Sequence, residues 1–355
     1  MVDIGTLHIP VELLERIFDE ISDKQDLKAL RCINSNFCSL LDPRLFSRIK
    51  IDLEEYDSPN FRVLASNSSR IAPHVHKLDL CSSELKYPTD DKGWMKKLLL
   101  VNRIRKEQKE SRAYILKALG SFKNLRILNF PYWSDPFPDL WRVLERKEIH
   151  LQRITNTFNI DQAFLEYLAS YSGLEHLWIR SISPTTTAST ANYFLTKALP
   201  KHSGSLQSLS IHPGEEGTQW SFGKDSAEMF SHCLQLRSLV IWVDAVDIHA
   251  ANSEEDVVTI CLDLAQKLPH LSTLAISPAY ANRKRSPRPR RILDGRPYWV
   301  GHQNTINERI TSRVLAYKLP SVRAGNPKVI VNGQIYAIQN VDEVSSAYLP
   351  TVRLH

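Results

Sequence analysis

The sequence is poor in glycine, with 12 in 355 residues. No predicted strand is followed by a glycine-rich turn, which a doubly wound sheet needs where its backbone approaches a cofactor. The chain also lacks any run that approaches the roughly 18 apolar residues of a membrane-spanning helix. Near its start, Asp3 stands where a signal peptide would have lysine or arginine. The sequence therefore argues against dinucleotide-dependent enzymes, membrane proteins and secreted proteins.

Cysteine is scarce as well. The five cysteines are an odd number at scattered positions, which suits free, buried thiols in a reducing compartment. We therefore predict a soluble intracellular protein, located in the cytoplasm, the nucleus or both.

Motifs of catalysis are also lacking. The sequence has no Gly-x-Ser-x-Gly, no phosphate-binding loop and no His-Glu-x-x-His. His74 and His76 could offer two metal ligands, but no cysteine or acid stands at a suitable spacing, so a surface pair is the better interpretation. Three further histidines fall at helix ends or turns, where the helix dipole favours a cation: His202, His232 and His270. We predict no catalytic residues, no cofactor and no metal.

The excess positive charge lies in one segment. The chain has 45 Lys+Arg and 39 Asp+Glu, a formal net charge of +6. Residues 283–296 account for this excess, and the rest of the chain is balanced. Three interpretations stay open: a solvated loop, a nuclear-import signal and, least favoured, a nucleic-acid contact. The residues of the candidate import signal are Arg283, Lys284, Arg285, Arg288, Arg290 and Arg291. A second basic stretch, Lys92 to Lys117, has loosely helical apolar spacing.

Residues 1–50 predict a small all-α domain. Pro10 pre-sets the first turn of a helix, and apolar residues from Leu13 to Ile21 follow at helical spacing. After a polar turn at 22–26, Leu27, Leu30, Ile33 and Phe37 mark a second helix, and residues 40–46 suggest a third. Because three short helices bury little surface alone, we expect a partner or a neighbouring domain to cover them.

These fifty residues resemble an F-box. The matching positions are Ile9-Pro10, Glu12, Leu13-Leu14, Ile17-Phe18, Asp26-Leu27, Leu30-Arg31, Phe37 and Pro43-Arg44-Leu45-Phe46. Asn34 departs from the family pattern, in which cysteine is common at this place. The resemblance implies docking onto the Skp adaptor of a cullin–RING ubiquitin ligase, by a helix-in-groove contact. The adaptor-binding residues it implies are Ile9, Pro10, Leu13, Leu14, Ile17, Phe18 and Leu27. The alternative is a generic helical hairpin.

A six-residue pattern, Leu-x-x-Leu-x-apolar, recurs through residues 51–280. Five full copies exceed the roughly one match expected by chance. They begin at Leu125, Leu174, Leu206, Leu236 and Leu271; Val75 begins a near match and Leu151 a degraded one. Helical stretches precede several copies, as at residues 163–171, 193–199, 227–233 and 257–268. We predict an α/β fold in which a helix, a turn and a buried parallel strand repeat, giving a leucine-rich-repeat solenoid with helices outside.

The repeats resemble the irregular leucine-rich repeats that follow many F-boxes, especially in fungal families. In such a strand the leucines point inward and the intervening residues face the concave side. This places several side chains outward: Lys77, Asp79, Asn129, His176, Ser208, Ser210, Ser238 and Val240. We predict target binding by Trp178, Arg180, His212 and Trp242, since tryptophan and arginine are frequent in binding sites. The alternative is that a neighbouring loop covers the two tryptophans.

Residues 281–355 continue without the repeat. They begin with the basic segment and contain one clear signal, two β-rich runs around Asn332-Gly333, the preferred two-residue hairpin turn. A hairpin at 329–338 could cap the exposed end of the solenoid. A non-globular tail is the alternative.

The resemblance to F-box proteins with leucine-rich repeats implies a non-catalytic adaptor subunit of an SCF-type ubiquitin ligase. The helices would hold the Skp adaptor and the repeats would bind an unidentified target protein. Two alternatives stay open: a leucine-rich-repeat interaction scaffold without a ligase role, and a nucleic-acid-binding regulator that acts through the basic segment. No membrane partner is expected.

Overall fold

The computed structural model has an α/β fold with a mostly parallel open sheet. It describes residues 2–4, 7–52, 64–66, 69–81, 112–130, 138–157, 160–179, 188–213, 216–248, 256–280, 298–319, 326–340 and 346–351. The chain forms two compact units: residues 1–134 with 143–151, and residues 135–142 with 152–355. Within the described residues, no helix is long and apolar enough to cross a membrane.

The first unit begins with an antiparallel hairpin and three helices. The hairpin pairs β1 (Val2–Ile4) with β2 (Leu7–Ile9). The helices are α1 (Val11–Glu20), α2 (Lys24–Arg31) and α3 (Ser35–Phe46). All three helices were predicted from apolar spacing, whereas the hairpin was not.

The boundary between the second and third helices differs from the prediction. The sequence placed Phe37 in the second helix, but α2 ends at Arg31 and Phe37 lies in α3. The Asn34 side chain accepts a hydrogen bond from the Phe37 N–H at 2.8 Å. Asparagine is a favoured N-cap residue because it satisfies one of the unpaired N–H groups of a first turn. The residue that departs from the F-box pattern therefore starts a new helix.

Parallel strands complete the described part of the first unit. They are β3 (Arg48–Asp52), β4 (Lys77–Cys81) and β5 (Ile127–Asn129), in that order across the sheet. Residues 112–119 are helical, and we label them α4. They lie at the end of the predicted basic helix over 92–117, whose residues up to 111 are outside the described part.

The second unit carries the longer stretch of sheet, in the order β6 to β13. Its parallel strands are β6 (Arg153–Thr157), β7 (His176–Ile179), β8 (Ser208–Ile211), β9 (Ser238–Val243), β10 (Thr273–Pro278) and β11 (Lys328–Val331). Two antiparallel strands follow, β12 (Gln334–Asn340) and β13 (Ser346–Pro350). All copies of the six-residue pattern, including the degraded one, contribute a strand.

The leucines of these copies form a buried ladder in the sheet of the second unit. The second leucine position of each strand pairs in register with that of its neighbour. None of these side chains is more than 2% exposed: Ile154, Leu177, Leu209, Leu239, Leu274 and Val329. Two residues on the same face, Ile211 and Ile241, line a small cavity of about 20 Å³ with the helix residues Phe194 and Phe230. Helices therefore pack on the leucine side of the sheet.

The helices alternate with the strands. They are α5 (Pro138–Arg146), α6 (Gln162–Ser170), α7 (Ala188–Tyr193), α8 (Leu199–His202), α9 (Lys224–Ser231), α10 (Val257–Lys267) and α11 (Tyr298–Ala316). The sequence predicted that the helix before β8 would end ahead of Pro200. Instead a π-helical turn, Phe194–Ala198, joins α7 to α8. Pro200 lies in the first turn of α8, where its missing N–H costs little.

The C-terminal hairpin lies where the sequence places it. Val331 pairs with Gln334, and the turn residues Asn332 and Gly333 have positive φ values of 49° and 75°. A two-residue turn with both φ values positive matches the twist of the flanking strands. β11 also pairs in parallel with β10, so the hairpin covers the edge of the last repeat strand. Helix α11 and strand β13 were not predicted.

Candidate binding surfaces

The three N-terminal helices enclose a small core of their own. Its buried residues are Leu14, Phe18, Leu27, Phe37 and Leu41, and Ile9 and Leu30 are among the half-buried residues that pack against them. Phe18 and Phe37 meet edge to face, with ring centroids 5.3 Å apart, a favoured aromatic geometry. This core is fixed by side chains of all three helices.

Polar contacts also join the helices. Arg31 of α2 forms an ion pair with Asp42 of α3 and stacks its guanidinium 5.1 Å from the centre of the Phe46 ring. Asp42 is 3% exposed. The hydrogen bond and charge of Asp42 raise the pKa of Arg31, so the guanidinium is charged at neutral pH. Arg44 donates to the Glu15 carbonyl at 2.9 Å and lies 3.0 Å from Asp19.

The structure divides the predicted adaptor-binding residues into two groups. Leu14, Phe18 and Leu27 are at most 8% exposed, so they build the core and have little surface for a partner. Leu13 and Ile17 lie one turn apart on α1, and each is 49% exposed. Pro10 is also exposed, whereas Ile9 is half-buried.

One further apolar residue of this region is exposed. Ile33 lies in the turn after α2 and is 59% exposed, whereas the sequence predicts it on a helix face. Large apolar side chains that stay in water indicate a binding surface when they cluster. Leu13 and Ile17 meet this condition, because they are neighbours on one face of α1.

The second candidate surface is the sheet face opposite the leucine ladder. Residues of this face alternate with the ladder along each strand. Trp178 is 47% exposed on β7, while Ser210, in register with it on β8, is 4% exposed. Arg180 lies outside the described residues.

His212 and Trp242 meet at the carboxyl end of the strands. Their ring centroids lie 4.5 Å apart, and the centroid of the Tyr280 ring lies 4.9 Å from that of His212, with the planes of both ring pairs tilted by 45°. His212 is 9% exposed and Tyr280 is 51% exposed. The sequence predicts His212 on an open surface, but the side chain is buried and contacts the two aromatic rings. Tyr280 was missed because it lies two residues beyond its strand.

A loop at residues 216–222 packs beside this aromatic cluster. The buried Asp244 accepts hydrogen bonds from the Gly217 N–H at 2.8 Å and the Ser221 hydroxyl at 2.7 Å. Burial raises the pKa of Asp244, although these two bonds act in the opposite direction. The Phe222 N–H donates to the Trp242 carbonyl at 2.9 Å. The alternative that a neighbouring loop covers the tryptophans therefore applies to Trp242, which is half-buried. It applies less to Trp178, which is exposed.

Two other residues predicted to face outward are buried or paired. Asp79 is 4% exposed and accepts hydrogen bonds from Arg48 at 2.6 Å and Asn129 at 2.7 Å. These three residues join β3, β4 and β5 across one face of the first unit. Asp79 and Asn129 therefore form a hydrogen bond with each other on this face.

Within the described part of the chain, no group of three or more histidine, cysteine or acidic side chains could hold a metal ion. The His76 Nδ1 lies 2.7 Å from the His74 carbonyl, so this pair makes a local contact. Three cysteines are buried, as expected, but Cys32 is exposed and Cys38 half-exposed. Burial raises the pKa of the Cys233 thiol to about 12, which leaves it unreactive at neutral pH.

No known family model matches the chain, and no curated protein is significantly similar to it.

Proposed function

We propose that this protein is the target-recognition subunit of an SCF-type cullin–RING ubiquitin ligase. The observation that carries the proposal is the exposed pair Leu13 and Ile17 on a helix whose opposite face is buried in the core of the three helices. Each of these side chains leaves 49% of its surface in water, while the buried face of α1 is filled by Leu14 and Phe18. An apolar stripe of this kind suits the groove of an adaptor protein.

The proposal extends to the repeat region, as an irregular leucine-rich-repeat solenoid. Two features support it: the parallel in-register strands formed by the copies of one motif, and the helices that alternate with them. Repeats of this type stack a continuous core and leave one sheet face for binding. In that arrangement Trp178 would contribute to target binding.

The mechanism would be one of proximity. The chain would supply binding energy at two surfaces and hold a target lysine near a charged conjugating enzyme. Holding two reactants together raises their effective concentration without any new chemistry. The covalent step would then belong to other subunits.

Capture of a purified Skp adaptor tests the proposal. The double variant Leu13→Asp, Ile17→Asp should weaken capture at least 100-fold, because each substitution would bury a carboxylate in an apolar groove. Both positions are half-exposed, so the variant should keep its helical circular dichroism and unfolding midpoint. Equilibrium binding by the full-length chain gives the readout.

Gln25→Asp with Asn36→Asp is the matched control. It adds the same two charges at exposed positions in the first turns of α2 and α3, where the helix dipole favours carboxylates. Capture by this control should equal that of the unchanged protein. If the unchanged protein does not bind the adaptor, the ligase role is wrong and the interaction-scaffold alternative replaces it.

A further inference from the structure

One row of residues crosses six neighbouring strands on the face opposite the leucine ladder. These residues pair in register from β6 to β11: Arg153, His176, Ser208, Ser238, Thr273 and Lys328. We call them the polar row. It has cations at its two ends and hydroxyl groups across its centre, and it contains no carboxylate.

The polar row is accessible. Arg153 and Lys328 are exposed, and the three hydroxyl residues are half-exposed. Within the described part of the chain, these three hydroxyl groups form no hydrogen bond and the two cations form no ion pair. Burial, and next the neighbouring charge of Arg153, lower the pKa of His176, so its imidazole is neutral at pH 7 and can accept or donate a hydrogen bond.

A buried polar atom on the same face also lacks a protein partner. Ser210 lies two residues beyond Ser208 on β8, in register with Trp178 and Val240. Its residue is 4% exposed, and its Oγ has no hydrogen-bond partner among the described residues. A buried hydroxyl without a partner is costly, and a ligand group at this face would satisfy it.

The dimensions of the row suit an extended polypeptide. Neighbouring strands lie about 4.8 Å apart, so six strands span roughly 24 Å. An extended chain covers this length with about seven residues, at roughly 3.3 Å each. The hydroxyl groups can bond to its backbone, and Trp178 offers an exposed ring for one apolar side chain.

The charges favour an acidic segment over a nucleic acid. Arg153 and Lys328 lie at opposite ends of the row. Glu175 and Arg237 each immediately precede a residue of the row in the sequence, and their opposite charges cancel. A nucleic-acid strand carries a charge at every nucleotide, and its binding proteins neutralise many of them. Two separated cations instead match a peptide with a few carboxylates.

We propose that the polar row and Trp178 bind an extended acidic segment of about seven residues in a target protein. This inference rests on the proposed function and names its class of target. Arg153 and Lys328 pair with carboxylates of the segment, and Trp178 packs against an apolar or aromatic side chain. Ser210 lies beneath the segment.

Selection from a random heptapeptide display library on the full-length chain tests this inference. The recovered peptides should be enriched in Asp and Glu and should contain an aromatic or large apolar residue. Ser238→Tyr places a ring in the centre of the row and should abolish the enrichment. Ser312→Tyr is the matched control, since Ser312 is exposed on α11, and it should leave the enrichment unchanged.

A charge reversal measures the electrostatic contribution to peptide binding. With a labelled peptide from the selection, Arg153→Glu with Lys328→Glu should weaken binding roughly tenfold. Lys224→Glu with Lys267→Glu makes the same change in net charge at exposed positions on helices, and its binding should equal that of the unchanged protein. Trp178→Ala should also weaken binding, by about tenfold.

Several outcomes would overturn the inference. They are the absence of enriched peptides, equal enrichment on Ser238→Tyr, and tighter binding of a labelled oligouridine than of any selected peptide. Adaptor capture, measured on the same preparations, separates the two proposals. Loss of adaptor capture with intact peptide binding contradicts the ligase role alone, and the reverse result contradicts the polar row alone.

Discussion

His202 shows how burial changes what a single residue does. Its Nδ1 accepts a hydrogen bond from the Leu174 N–H at 3.3 Å, and its Nε2 lies 2.9 Å from the Leu168 carbonyl. The ring is 2% exposed, and burial lowers its pKa to about 4. The sequence predicts a cation stabilised by a helix end. That expectation is wrong, because a buried imidazole with one accepting nitrogen is neutral.

His202 should make stability depend on pH. The folded-state pKa of about 4 lies below the usual value of about 6.5 in unfolded chains. Its contribution is therefore complete above pH 6.5 and is lost as the pH falls toward 4, by an amount on the order of 3 kcal/mol. Urea unfolding between pH 4 and 7 should show a smaller pH slope for His202→Gln. An unchanged slope would contradict this assignment, and His232→Gln, at an exposed helix end, is the control.

Asn34 decides where a helix begins. Its side chain caps α3 through the Phe37 N–H, so Asn34→Ala should lower the free energy of unfolding by about 1 kcal/mol. Asn34→Cys, which restores the residue common in F-boxes, should cost a similar amount, while Asn34→Asp should cost little. Asn36→Ala, at an exposed position in the first turn of the same helix, is the control. Equal urea midpoints for all four variants would show that the cap does not matter.

At the scale of elements, strong periodic patterns in the sequence are sufficient to predict helices and strands, and weak patterns are not. The repeated leucines determine both the strands and their register, because a shift by one residue would expose every ladder side chain. Helix α11 was missed, although its buried residues Ile306, Ile310 and Val314 recur at four-residue steps. One apolar residue per turn is a narrow stripe, and no capping pattern marked its start. Its stability comes from tertiary contacts.

A buried ion pair holds α11 against α10. Arg313 Nε lies 2.8 Å from Asp256 Oδ2, and Asp256 is 1% exposed while its other oxygen caps α10 through the Val258 N–H at 2.9 Å. A second contact joins Tyr317 of the following turn to Asp263 at 2.5 Å. Burial of Tyr317, and next its hydrogen bond to Asp263, raise the pKa of the Tyr317 hydroxyl.

Removal of the arginine should loosen the C-terminal helix. Arg313→Met leaves the Asp256 carboxylate buried without a cation, at a cost of about 3 kcal/mol or more. Hydrogen exchange of the α11 amides should accelerate, and Arg313→Met with Asp256→Asn should recover part of the loss. Arg309→Met, exposed one turn earlier, is the control. If the α11 amides exchange at the same rate in Arg313→Met as in Arg309→Met, the ion pair does not contribute to the packing of α11 against α10.

At the scale of the whole molecule, the chain forms two compact units. The predicted domain boundaries at residues 50 and 280 fall inside the first and second compact units. The predicted basic segment at 283–291 lies outside the described residues, so its role stays a prediction.

The basic segment should govern localisation if it is an import signal. Replacing its six candidate bases by alanine lowers the formal net charge from +6 to zero and should abolish nuclear accumulation of a fluorescent fusion in cells. A control carries six equivalent changes at exposed lysines of the described chain: Lys117, Lys123, Lys197, Lys201, Lys224 and Lys267. Unchanged distribution of the first variant would favour a solvated loop.

The sequence by itself determined the α/β class, the three N-terminal helices, the parallel strands of the repeat and the C-terminal hairpin. Each of these follows from local spacing, turn residues or a repeated motif, which act between residues close in sequence. Only the tertiary structure decided which outward side chains stay accessible, because burial depends on residues far apart in the chain. It left Trp178 exposed, placed His212 in contact with the rings of Trp242 and Tyr280, and aligned the polar row across six strands.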